Sequence, residues 1–179
     1  NANGVRKKLE PIAASIGVLY LLFNVFYFTN IIPPIPLSLK ESGIYHSVAR
    51  TQGGRYTLSF ESAPRYLLFQ ETSRIFHWRP GEPVYYFTSV FAPTRFVLPV
   101  IHRWSFYDEN RSGWVEKGDI AFPVFGGSDR GYRGYSFKTS VEPGRWRVEV
   151  LTSNGQILGR ETFAIVRTDN GPRLTSVVR

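Results

Sequence analysis

"GRWRVEVLTSNGQILGRETFAIV", residues 144–166, decides the fold. Trp146, Val148 and Val150 alternate with Arg145, Arg147 and Glu149, the period-two pattern of a strand that buries one face. Asn154-Gly155 interrupts the pattern with the strongest two-residue hairpin signal in the chain, and "QILGRETFAIV" returns from it. A strand, a tight turn and a returning strand form an antiparallel pair that needs a second layer over its apolar side.

The same grammar extends upstream. "IYHSVAR" and "RYTLSFE" flank Gly53-Gly54, another hairpin signal. "RIFHW" leads through the turn "RPGEP" to "VYYFTSVFA" and "FVLPVIHRWSFYD"; after "ENRSG" come "WVEKGDIAFPVF", a Gly-rich link and "GYSFKTSV". Short strands at this spacing, without a soluble helix, indicate an all-β antiparallel β-sandwich, Ig-like or jelly-roll-like, over residues 44–167. "RTDNGPRLTSVVR" reads as a loose C-terminal tail from residue 168 to 179. There is no internal repeat.

Before the sandwich, residues 12–32 contain no Asp, Glu, Lys or Arg. As a helix they would span roughly 31 Å at about 1.5 Å per residue, close to a bilayer's hydrocarbon thickness. A signal peptide has a shorter apolar region, of about 7–15 residues, and a small-residue exit that "TNIIPPIP" lacks. A soluble core helix would show a polar face, and this segment shows none. The reading is a single transmembrane helix over 12–32, after a basic flank of residues 1–11 and before a Pro-rich spacer of residues 33–43, in which Pro33, Pro34 and Pro36 stop the helix. Arg6, Lys7 and Lys8 precede the helix, whereas Lys40, the first base after it, is followed by Glu41. This asymmetry expects a cytoplasmic N-terminus and a periplasmic C-terminal domain. Ala13 and Gly17, four apart, permit close helix approach, and Asn24 offers an amide either to a neighbouring helix or to its own backbone.

Composition narrows the chemistry. The 179 residues suffice for one domain and an appendage, and 42% apolar content supplies a core. No Cys is present, which removes disulfides, thiolate metal sites and cysteine nucleophiles. Met is absent too, so a chain opening on Asn is expected to be processed or a fragment of a longer product. The net charge of +8 rests on 22 basic residues, mostly Arg, but they are scattered rather than blocked, which argues against nucleic acid.

"IPPIPLSLKESGIYH", "FAPT", "HRW", "GGSDRGYRGYSFKT" and "PGRWRVEVLTSNGQILGRETFAIV" together resemble the C-terminal region of a bacterial membrane protein family, domain-of-unknown-function family 2914. The resemblance covers residues 33–166 and rests on the order and separation of these segments. It implies an envelope location with the soluble domain outside the cytoplasm. It implies no reaction and carries no residue roles. Members often have several helices before this domain where one is present here, which leaves open a whole protein or the last helix and domain of one.

Residue patterns add no reaction. His46, His77 and His102 are far apart in sequence, sit near aromatic residues on expected strands, and read as structural rather than as metal ligands. No G-x-S-x-G elbow is present. Asp108 and Glu109 open the loop "DENRSG" and read as a solvated turn. "HRWSF" places His102, Trp104 and Phe106 on one strand face, with Trp104 in the core. "GGSDRGYRGY" is the candidate docking loop: Arg130, Tyr132 and Arg133 stand among glycines that free the backbone to meet an acidic partner or a lipid headgroup. It lacks the Lys-Ser/Thr ending of a phosphate loop.

The expectation is a membrane-anchored accessory or scaffolding subunit, not an enzyme, without cofactor or metal. Its extracytoplasmic sandwich would dock onto and stabilise a larger membrane protein complex, respiratory or photosynthetic among the options, with other membrane protein subunits and the lipid bilayer as partners. The alternative is an envelope ligand-binding module for a glycan, lipid or small molecule. A concave pocket lined by exposed Trp and Tyr would favour the alternative, and a filled core would favour docking.

Overall fold

Alternating segments fold as strands and the apolar run as a helix. The computed structural model describes residues 2–29, 37–52, 54–62, 73–91, 98–124 and 132–179. The chain divides into two units, residues 1–36 and 37–179. The first contains α1 (Ala2–Phe28). Among the described residues it is the one helix long and apolar enough to cross a membrane, over Pro11–Phe28.

The helix differs from the 12–32 reading at both ends. It begins at Ala2 because Ala, Lys, Leu and Glu before Pro11 favour helix, whereas hydropathy marks only the apolar part. It closes at Phe28, where the Thr29 N–H and hydroxyl both donate to the Val25 carbonyl at 2.9 and 2.6 Å. Pro33, Pro34 and Pro36 lie outside the described residues.

Among the described residues, eleven strands lie in the second unit: β1 (Ser38–Tyr45), β2 (Ser47–Arg50), β3 (Tyr56–Phe60), β4 (Ile75–Trp78), β5 (Val84–Phe91), β6 (Leu98–Asp108), β7 (Gly113–Val124), β8 (Tyr132–Lys138), β9 (Gly144–Thr152), β10 (Ile157–Arg167) and β11 (Thr175–Val178). They form sheets β1-β5-β8, β4-β10-β9-β6-β7 and β11-β3-β2. The first two face each other across the main core. Connections β5–β6, β7–β8 and β8–β9 each cross from one sheet to the other, an immunoglobulin-like sandwich rather than a jelly roll. All ladders are antiparallel except β4 with β10, which is parallel.

Trp104 on β6 is fully buried at the centre. Its ring meets Tyr86, Trp146 and Phe163 edge-on at 6.2, 6.4 and 6.2 Å, and its indole N–H donates to Ser136 Oγ at 3.0 Å. Immunoglobulin domains place a buried Trp on the corresponding strand against a disulfide. In this cysteine-free chain, interlocked rings occupy that space. A second cluster of Tyr45, Val48, Tyr56, Leu58, Phe60 and Phe87 joins β2 and β3 to the other side of the β1-β5-β8 sheet.

Two boundaries are corrected. The spacer does not run to residue 43: β1 begins at Ser38, because "SLKESGIY" pairs along β5 and covers its edge. The tail is not loose from 168 to 179: β11 pairs with β3, the Tyr56 and Arg179 main chains exchange hydrogen bonds at 2.9 and 2.8 Å, and Arg179 Nε donates to Glu41 Oε1 at 2.8 Å. β3 would otherwise present a row of unpaired main-chain groups.

Both hairpin signals form hairpins, β2–β3 and β9–β10. In each, the glycine nearest the returning strand is left-handed, with φ of +71° at Gly54 and +80° at Gly155. Asn154 has no positive φ, so the turn is a three-residue loop ending in a left-handed glycine instead of the two-residue type that Asn-Gly most often signals.

Candidate docking surface

β8 alternates through "YRGYSFK" and so presents two faces. Tyr132, Gly134 and Ser136 turn inward and are buried. Tyr132 is therefore not a docking residue: it is 8% exposed and belongs to the main core, since the strand begins there and sets its parity. Gly134 is required by packing, because a Cβ would lie 2.1 Å from the Phe122 ring. Arg130 lies outside the described residues.

Arg133, Tyr135 and Phe137 turn outward, opposite Ser89, Phe87 and Tyr85 of β5. Tyr85 meets Phe137 at 5.6 Å and Tyr135 at 6.1 Å, and Tyr135 meets Tyr56 at 6.3 Å. The β11-β3-β2 sheet shields the β1 side of this face and leaves Tyr135 37% and Phe137 52% exposed. Arg133 flanks the rings, with Nε shut from solvent and without a hydrogen-bond partner among the described residues. The sequence reading found Arg133 but missed Tyr85, Tyr135 and Phe137; the alternation of "GYSFK" was the signal available.

The outer face of the five-stranded sheet is also rich in Arg and rings, but they engage one another. Arg145 lies 4.6 Å from the Tyr107 ring and Arg147 4.4 Å from Trp114. Arg103 grips Asp119 with two bonds of 2.9 and 2.7 Å, which raises its pKa further and holds the Asp119 carboxyl below its usual range.

The histidines divide into two groups. His102 is fully buried between the Thr88 and Ser136 hydroxyls, at 2.9 Å from Nε2 and 2.8 Å from Nδ1. Burial pushes its pKa down to about 3. With both ring nitrogens against hydroxyls, it has no carboxylate orienting it. His46 and His77, distant in sequence, converge on Glu61: His46 Nε2 lies 2.9 Å from Oε1, His77 Nδ1 2.6 Å from Oε2, and the His77 main-chain N–H donates to Oε1 at 2.7 Å. Burial would raise the Glu61 pKa, but these bonds from His46 and His77 outweigh it and lower the pKa. The cluster ties β3 to β4. Among the described residues no group of three His, Asp or Glu is arranged to hold a metal ion.

Asp108 fits the turn reading, since its Oδ1 accepts from the Asn110 and Arg111 N–H groups at 2.9 and 3.2 Å. A cleft of about 410 Å³ beside Trp146 is lined by Lys117, Lys138, Ser140, Val141 and Glu142. The Trp146 ring is 1% exposed, with its N–H held by the Glu142 carbonyl at 2.8 Å, so it offers no stacking platform. On α1, the Asn24 side-chain amide donates to the Tyr20 carbonyl at 2.8 Å, within its own helix. No atom lies within 4 Å of where a Gly17 Cβ would stand.

The model of the family described as "Protein of unknown function (DUF2914)" matches residues 99–165, from β6 through β10. No curated protein matches the chain. Among solved structures, the chain is similar to the Pseudomonas fluorescens alkylpurine DNA glycosylase AlkC bound to DNA containing an abasic site analog, with 23% identity and a TM-score of 0.38 over 53% of this chain. It spans 28% of that glycosylase's length. It is also similar to an immunoglobulin-like protein from Pseudomonas aeruginosa, with 11% identity and a TM-score of 0.40 over 73% of this chain and 97% of the other.

Proposed function

We propose, from the match of the DUF2914 family model to residues 99–165, that the chain is a non-catalytic docking subunit of a membrane protein assembly. α1 anchors it in the cell membrane with its N-terminus in the cytoplasm, and the sandwich works on the periplasmic side. The observation that carries this reading is the ring row of half-buried Tyr85 and exposed Tyr135 and Phe137 beside Arg133. Tyr, Phe and Arg are enriched where proteins meet, and a rigid ring cluster on a sheet loses little conformational entropy on binding. Arg6, Lys7 and Lys8, in the part of α1 before its apolar span, support the orientation.

The test is purification of the native, untagged protein in mild detergent, with size analysis and identification of co-migrating chains. A stoichiometric complex that is lost in the Tyr135→Ser/Phe137→Ser double variant is the expected result. A lone monomer, or a complex indifferent to both substitutions in a folded variant, would overturn the reading.

A further inference from the structure

Docking leaves Lys138 unused. The inward parity of β8 runs from Tyr132 and Gly134 through Ser136 to Lys138, so the strand ends with an ammonium on its core side. Opposite it, β7 carries a bulge: Gly118 pairs with Trp104 and Glu116 with Ser105, which leaves Lys117 as the extra residue. Gly118 takes a φ of +134° there, and Lys138 Nζ stands 3.9 Å from where its Cβ would be. The bulge presents the Lys117 carbonyl, which accepts from Lys138 Nζ at 2.7 Å, and brings the Lys117 ammonium to 5.3 Å from the Phe106 ring. Both ammonium groups line the cleft of about 410 Å³, together with Ser140, Val141 and Glu142 from the β8–β9 connection. Among the described residues no carboxylate lies within ion-pairing distance of Lys138, and Glu142 meets only Lys117, at 3.5 Å and with both side chains well exposed. Burial first, and then the charge of Lys117, lower the pKa of Lys138, and no acid acts the other way.

We propose that this cleft binds a small carboxylic acid, its carboxylate held between Lys138 and Lys117 and its short hydrocarbon end against Val141. Two ammonium groups and the Glu142 carboxylate leave the lining with one surplus positive charge, which a single ligand carboxylate cancels. A part-buried cation without a counter-charge is costly, and the ligand supplies that charge. Each ammonium has three hydrogens and has committed one, Lys117 to Glu142 and Lys138 to the Lys117 carbonyl. Donors therefore remain for both oxygens of the ligand, and Ser140 adds a hydroxyl to the lining. A phosphate monoester would bring a second negative charge beside Glu142, and an amine would meet two groups of its own sign. β-bulges re-aim side chains in this way beside binding sites. This inference is independent of the docking role.

Isothermal titration of the full-length protein in phosphatidylcholine nanodiscs at low ionic strength tests it, with empty nanodiscs as the reference and butyrate, butyramide and inorganic phosphate as probes. Butyrate is expected to bind at least tenfold more tightly than butyramide, which has its shape without its charge, and more tightly than phosphate. Lys138→Gln, which keeps an N–H for the Lys117 carbonyl, is expected to weaken butyrate binding at least tenfold. Glu142→Gln removes the competing carboxylate and is expected to tighten it at least threefold, a gain that a misfolded variant cannot imitate. Absence of butyrate binding, equal binding of butyramide, tighter binding of phosphate, or unaltered affinity in both variants would overturn the site.

Discussion

His102 and Glu161 are both turned between the sheets, and burial moves each toward its neutral form. Their effects on stability have opposite signs. The unfolded chain takes up the imidazole proton near pH 6.5, while the folded chain takes it up only at about 3. Between those values the unfolded state binds more protons, so this contribution to stability falls as pH falls from about 6.5 to about 3. Glu161 has a raised folded pKa, so its contribution is present below the ordinary carboxyl value and is lost as pH rises through the folded one. Glu61, with its lowered pKa, sides with His102: its contribution is lost as pH falls below 4.5. Urea melts from pH 7 to 4 should show stability declining with pH, with a shallower slope in His102→Gln. An equal slope in the two proteins would dissociate His102 from the acid response. The position of His102 was legible in "HRWSF", where alternation puts it on the side of Trp104. Glu161 obeys the same alternation in "GRETFAIV", but a charged residue is ordinarily assigned to the solvent side. The meeting of His46, His77 and Glu61 was not legible, because it depends on how β1, β3 and β4 come together.

At the scale of elements, β11 stabilises by covering an edge. Its short ladder on β3, the Tyr56–Arg179 main-chain pair and the Glu41–Arg179 ion pair together contribute on the order of a few kcal/mol, at roughly 1 kcal/mol per hydrogen bond. Removing residues 174–179 should lower the urea midpoint without changing its slope greatly and should quicken proteolysis. An unmoved midpoint would mean that β3 needs no cover. Four strand residues after a Gly-Pro turn are too few for alternation to register, so the sequence suggested a tail. The longer strands and both hairpins were legible because their turn glycines stand between clear alternating runs. On α1, Ala13, Gly17 and Asn24 recur at spacings that bring them to one side of a 3.6-residue helix. The Asn24–Tyr20 bond uses one of the two amide hydrogens and leaves a second for a neighbouring helix. If α1 packs within the proposed assembly, Gly17→Leu with Asn24→Leu should release it from that assembly in detergent. Full retention would assign Asn24 to its own backbone alone.

At the scale of the whole molecule, the architecture was readable and the working surface was not. Period-two runs announced a sandwich, yet which outward rings stay uncovered depends on where the β11-β3-β2 sheet comes to lie over the β1-β5-β8 sheet. That placement buries Phe87 and leaves Phe137 open, although the two residues look alike in their segments. If the ring row docks the domain, Arg133 adds a charge-dependent part. Complex retention should then weaken modestly with salt, whereas the Tyr135/Phe137 variant should lose it at every ionic strength. Loss by salt alone, with the ring variant unaffected, would move the interface to the arginines elsewhere on the sandwich.

The pairing of Ile75 with Ala164, and of Tyr56 with Arg179, also sets the order in which the domain can be completed. β3 and β4 emerge early in synthesis, but their partners β11 and β10 arrive last. Hairpins such as β2–β3 and β6–β7 can form early, but neither of these two sheets is complete before β10 and β11 are made. A chain cut short inside β10 would leave β3, β4 and β9 with open edges for proteases to find.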